Sequence, residues 1–192
     1  GRLMTVSLDW QRAKPWPICA IWKRPVERKS MQLKALAGTA PCKMTTPTAT
    51  PWTKNYLHPV KWEQSFPPLA LHDMFFNSAE RMGASPLADF MGRKYSYAEM
   101  ADSVRKFARG LQLRGIGKGD HIGLFLPNVP HYIVAYYGAL AAGATVVNFS
   151  PLYTVEELAA QVADSGTTIL VTLDVSALLP TALAVLECSS LE

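Results

Sequence analysis

The chain is short of the residues that build metal centres and disulfide scaffolds. Its 192 residues include only three cysteines and four histidines. Cys19, Cys42 and Cys188 are odd in number and far apart, with no Cys-x-x-Cys spacing, which excludes a disulfide-stapled domain and a cysteine-based zinc site and points to a reducing, cytoplasmic setting. His58, His72, His121 and His131 share no ligand spacing, and Cys188 has no activating base beside it. An unbroken membrane span is missing as well. Between Asp120 and Glu156 lie 35 residues without Asp, Glu, Lys or Arg. Pro127, Asn128, Pro130, Asn148 and Pro151 cut that stretch into pieces shorter than the roughly 20 residues a bilayer requires. A buried helix between two buried strands is the expectation there.

What is present is a globular composition, 49% hydrophobic and 18% charged, in a length that suits one domain of ordinary size. The net charge of +4 is unevenly spread. Residues 1–43 carry nine Lys or Arg against Asp9 and Glu27, a net of +7, and the remainder is net negative by three. The basic stretch holds Trp10, Trp16, Trp22 and several prolines without a helical or alternating apolar period, so no core is expected from it. It reads as an unstructured or non-native leader that ends before Met44, the expected initiator. Deleting it is expected to leave the thermal transition unchanged or raised. A nucleic-acid or membrane-surface arm is the functional alternative, since clustered cations attract phosphate and aromatics stack on bases.

From Leu71 the pattern becomes regular. Leu71, Met74, Phe75 and Met82, at helical spacings, predict a helix with Gly83 as its C-cap. Ala88–Met91 and Tyr95–Tyr97 read as a hairpin turning at 92–94. Ser96 and Glu99 form a capping box, opening a helix with the buried stripe Met100, Val104, Phe107, Ala108 and Leu111 and with Arg105, Lys106, Arg109 and Arg114 toward solvent. Then follow strand 121–126, helix 130–142, strand 145–149, helix 155–164 and strand 168–172, with Thr154 and Glu157 as a second capping box. The β-α-β-α-β order and the continuously apolar strands predict an α/β fold with a parallel sheet covered on both faces. A last helix, 176–187, is expected to be weakened by Pro180.

Two glycine patterns imitate phosphate loops. Gly115-Ile116-Gly117-Lys118-Gly119 and Ser165-Gly166-Thr167-Thr168 both leave a helix and enter a strand, whereas a phosphate loop leaves a strand and opens a helix, aiming the helix dipole at the anion. Both are therefore read as turns. Glu156 and Glu157 are read as capping and dipole residues. No catalytic, cofactor-binding or metal-binding residue is assigned.

Several runs together resemble the adenylate-forming enzymes, most of all the bacterial long-chain fatty-acid CoA ligases. They are Pro51-Trp52 with Tyr56, Met91 through Met100, Gly117-Lys118-Gly119-Asp120-His121-Ile122, Leu126-Pro127-Asn128, Gly138 through Ala144, and Asn148 through Thr154. The resemblance implies that 44–192 is the N-terminal part of an AMP-binding domain. It implies ATP, magnesium, a fatty acid and coenzyme A for the full-length family, in a ligase that proceeds through an acyl-adenylate. None of those ligands is expected to bind this chain, because the family's phosphate loop, adenine-stacking aromatic, ribose-binding acid and catalytic lysine have no counterpart before Glu192. The expectation is an inactive N-terminal piece with an unfinished sheet edge. Ile122, Leu124, Leu126, Val146, Phe149, Ile169 and Val171 would then lie near exposed surface and the piece would self-associate. Nucleic acid is not expected as a partner, and peripheral contact with the inner face of the membrane is left open. An aryl-CoA ligase, a peptide-synthetase adenylation domain and a non-catalytic interaction module are the alternatives.

Overall fold

A computed structural model describes residues 6–7, 18–22 and 51–188. The chain divides into two compact units, Gly1–Pro25 with Ala70–Glu192, and Val26–Leu69.

In the first unit the chain order is β1 (Val6–Ser7), β2 (Ile18–Trp22), α1 (Leu71–Met82), β3 (Pro86–Phe90), β4 (Arg93–Ser96), α2 (Tyr97–Gln112), β5 (His121–Phe125), α3 (Pro130–Ala142), β6 (Thr145–Phe149), α4 (Val155–Ser165), β7 (Ile169–Leu173) and α5 (Leu179–Cys188). The parallel sheet is built from β7, β5 and β6, with β5 in the middle. The chain steps from β5 to β6 on one side and then crosses to β7 on the other. The expected α/β fold and β-α-β-α-β core are therefore present.

Consecutive strand residues face opposite sides, so one face carries Ile122, Leu124 and Val171 and the other carries Gly123, Phe125 and Thr172. On the first face, α3 reaches β6 through the Tyr132 hydroxyl, which donates to Asn148 Oδ1 at 2.7 Å. On the second, the missing side chain of Gly123 is filled by the Phe149 ring and by Thr167, just past the end of α4. The helices α2 and α3 meet at Gly138, where a Cβ would come within 2.7 Å of Phe107 Cδ1 and 3.2 Å of the Val104 carbonyl. That close approach requires glycine.

Both capping boxes form. Glu99 N donates to Ser96 Oγ at 3.2 Å and Ser96 N to Glu99 Oε2 at 2.9 Å; Glu157 N donates to Thr154 Oγ1 at 3.3 Å and Thr154 N to Glu157 Oε2 at 2.9 Å. The expected stripe of α2 is buried in full, joined by Ala101 and Ser103, while Arg105, Lys106 and Arg109 on the helix and Arg114 just past its end are exposed.

Four expectations need correction, and α1 buries less of its apolar period than the spacing offers. In α1 only Phe75 and Ala79 are buried, while Leu71, Met74 and Met82 are exposed. The helix turns toward its neighbours the i, i+4 pair that lets the Phe75 ring stack on Tyr137 at 4.5 Å. The hairpin turns at Met91 and Gly92, both with positive φ, because a two-residue turn of that hand matches the twist of the strands. Helix α5 starts at Leu179, so Pro180 falls in the first turn, where its missing N–H costs nothing. The leader is not wholly without structure: β1 pairs with β2, and β2 runs antiparallel along β7 from Ile18 opposite Leu173 to Trp22 opposite Ile169. Finally, Ile122, Leu124, Leu126, Phe149, Ile169 and Val171 are buried and Val146 is partly buried, because helices cover both faces of the sheet.

The second unit, in its described part, is a 3₁₀ turn, Pro51–Asn55, followed by an irregular segment. Tyr56 N donates to the Thr53 carbonyl at 3.2 Å and Gln64 N to that of Lys61 at 3.1 Å.

Candidate functional site

In open parallel sheets ligands gather outside the carboxyl ends of the strands, where the strand order reverses. Here that place lies between β5 and β7, bordered by the loops 126–129, 150–154 and 174–178. Its polar groups are few. Asn128, Asp174 and Ser176 are exposed, Ser150 Oγ accepts from Leu152 N at 3.3 Å, and Tyr132 is bonded to Asn148. Burial, and then the neighbouring Tyr136, push the Tyr132 hydroxyl pKa above its ordinary value. No lysine or arginine occurs in these three loops. A triphosphate would find one carboxylate there and no compensating cation.

The two glycine patterns lie at the opposite, amino ends of the strands. Gly117 N is taken by Asp120 Oδ2 at 2.8 Å, and positive φ at Gly115 and Gly119 shapes the turn from α2 into β5. Gly166 is the left-handed C-cap of α4. Ser165 Oγ donates to the Gln161 carbonyl at 2.7 Å and also lies 2.7 Å from Thr167 Oγ1, while the Ser165 carbonyl meets His121 Nδ1 at 2.6 Å. Thr168 N donates to the His121 carbonyl at 3.0 Å. The donors a phosphate would need are already used in turning the chain, as the order of elements implied.

The remaining candidates stay apart. No group of three or more His, Cys, Asp or Glu able to hold a metal occurs among the described residues. Backbone bonding at the α4 start, then the Thr154 side chain, holds Glu156 below the usual carboxylate range. The Cys188 side chain lies outside the described residues. Among the described residues, the carboxyl edge of the sheet offers no lysine or arginine to a triphosphate.

Two polar side chains do stand out: His131, which the sequence offers only as a histidine without ligand spacing, and Thr172, which it does not mark at all. His131 Nδ1 and Thr172 Oγ1 are buried atoms without a hydrogen-bond partner. Burial, reinforced by Arg93, lowers the His131 pKa. Nothing in the local sequence marks either one: Thr172 sits in an ordinary strand run, and His131 follows a helix-starting proline.

The comparison with known families decides the assignment, since the family of AMP-binding enzymes matches residues 75–191. The chain belongs to the AMP-binding enzymes. This member is 35% identical over 124 residues to a long-chain-fatty-acid–CoA ligase of Bacillus subtilis, covering 65% of this chain and 22% of that protein. It is 41% identical over 99 residues to one of Yersinia pestis, covering 50% and 17%, and 34% identical over 106 residues to 4-coumarate–CoA ligase 3 of rice, covering 54% and 19%. The chain spans about a fifth of the length of these relatives. Among solved structures it resembles NpsA-ThdA, an artificially fused adenylation–PCP di-domain from Klebsiella oxytoca, with a TM-score of 0.51 and 20% identity over 53% of this chain and 19% of that one. The crystal structure of VinN gives 0.50 and 23% over 54% and 27%. At such identities the likeness establishes the fold of this AMP-binding chain and nothing finer. No helix among its described residues is long and apolar enough to cross a membrane.

Proposed function

We propose that this chain serves the ATP-dependent activation of long-chain fatty acids, in which a carboxylate displaces pyrophosphate from ATP and the acyl-adenylate then yields acyl-CoA and AMP. The observation that carries the reading is the 35–41% identity to bacterial long-chain-fatty-acid–CoA ligases, in a family whose membership implies ATP use. Magnesium and coenzyme A enter with that reading. The described residues act in it as scaffold: β5, β6 and β7 with their helices hold loops at the carboxyl edge, while the triphosphate-binding charge comes from elsewhere. Setting that charge in place is the larger part of the catalysis of such transfers.

A chimera tests this. In the Bacillus subtilis ligase, the 124 residues shared with this chain are replaced by this chain's counterpart. Palmitate-dependent exchange of pyrophosphate into ATP is expected from the folded chimera, and none from the present chain alone. Exchange by the chain alone, abolished by substitutions within it, would place catalysis here. A chimera that activates 4-coumarate and not palmitate would favour an aryl-acid ligase, the second reading supported by the rice relative at 34% identity.

A further inference from the structure

In order of appearance the parallel strands β6, β5 and β7 stand 2-1-3, the start of the 2-1-3-4-5 series of doubly wound sheets, whose fourth strand lies beside the third. The helices point to the same place. Helix α4 carries the chain from β6 past β5 to β7, and α5 packs beside α4 and against β7. Crossovers between parallel strands are right-handed, so helices on one face carry the chain in one direction. A strand delivered by α5 therefore arrives on the far side of β7 and parallel to it. That position is taken by Ile18–Trp22, which runs antiparallel. The AMP-binding family matches residues 75–191 and leaves this strand outside.

We infer that Ile18–Trp22 is a self-blocking strand, holding the β7 edge against the parallel strand that a chain of its relatives' length places after α5. The reversed direction has a consequence for the site. Ile18, the first residue of β2, lies opposite Leu173, the last of β7, so the carboxyl edge of the sheet meets the entrance of β2. A parallel strand would exit there into a loop and the amino end of a helix, the arrangement that collects anions. While β2 is paired, the edge beside β7 cannot gain such a loop. Its fit is also imperfect: Thr172, in register with Cys19, keeps a buried oxygen without a partner. Displacement is favoured by chain connectivity. Helix α5 delivers its strand through a short crossover, whereas β2 reaches the edge from the far end of residues 23–70, and the shorter connection closes at a smaller entropic cost. This competition follows from the fold and stands apart from which acid is activated.

Amide hydrogen exchange tests it on two proteins. One is the full chain; the other is the full chain extended by the Bacillus subtilis ligase sequence that follows their shared segment. In the chain alone, 18–22 and 169–173 are both expected to exchange at least about tenfold more slowly than unfolded peptide. In the extended protein 169–173 should stay protected while 18–22 exchanges at the unfolded rate. Ala20→Pro removes an N–H from the centre of β2. It should speed exchange of 169–173 in the chain alone by about tenfold and leave that strand protected in the extended protein. If the extended protein does not fold, a synthetic peptide of the first strand in the added sequence, in excess over the chain, must release 18–22 to exchange. Protection of 18–22 that persists in the extended protein, or against the peptide, overturns the inference. So does free exchange of 18–22 in the chain alone. Protection that vanishes on dilution as a dimer dissociates would assign β2 to a second copy and overturn it as well.

Discussion

Thr172 of β7 places a hydroxyl inside the sheet, opposite Phe125 of β5, fully buried and with its oxygen unpartnered. A buried polar atom that has given up water without a replacement costs about 1–3 kcal/mol, more than its removal in an isosteric exchange would lose. Thr172→Val is therefore expected to stabilise the fold by about 1 kcal/mol, raising the melting temperature by about 2–4 °C. Denaturant titration checks this, and a lower midpoint would reveal a bond that the hydroxyl makes. Glycines act in the opposite sense. Gly123 and Gly138 cannot be replaced so freely, because the Phe149 ring and the Phe107 side chain occupy the space where a Cβ would go.

At the scale of elements, β2 changes what is expected of the sheet. Five residues, Ile18–Trp22, run along β7 and pair the edge that the apolar pattern alone left open. An edge strand deprived of its neighbour exposes a row of unpaired backbone donors and acceptors. Removing residues 1–25 is accordingly expected to lower the melting temperature by about 4 °C or more. Calorimetry on the truncated chain would refute this pairing if the transition were unchanged or raised, the result anticipated from composition alone. The helices were better marked in the sequence because their ends carry chemistry of their own. Ser96 with Glu99, and Thr154 with Glu157, satisfy orphan backbone donors wherever they occur, so these two starts needed no tertiary information.

For the molecule as a whole, His131 and Glu99 each weaken the fold toward acid, in separate windows. Burial, then Arg93, lowers the pKa of His131, so the unfolded chain takes up its proton at a higher pH than the folded one. The resulting stability is complete above the unfolded value of about 6.5 and is lost as pH falls below it toward the folded value. Glu99 acts lower. The Ser96 backbone N–H, then the Ser96 hydroxyl, holds its pKa below 4.5, so what it contributes persists above that value and is lost beneath it. Unfolding midpoints measured from about pH 7.5 to pH 5 should fall for the parent chain and stay nearly level for His131→Phe. An equal fall in the variant would show that His131 is not the group responsible.

The sequence by itself determined the α/β class, the strand and helix order and both capping boxes, because these depend on residues a few positions apart. The turn role of the two glycine patterns was equally local: a loop that leaves a helix and enters a strand lies at the amino end of that strand, away from the carboxyl edge where ligands collect. Tertiary structure decided which face of α1 is buried. Leu71, Met74 and Met82 have the period of a core face, but the neighbouring elements accept only Phe75 and Ala79. It also decided that Ile18–Trp22 is a strand, since a short run amid basic and proline-rich sequence takes its stability from an edge more than a hundred residues away. The stranded atoms of His131 and Thr172 belong to the same class: being buried without a partner is a relation among distant residues, and no local pattern encodes it.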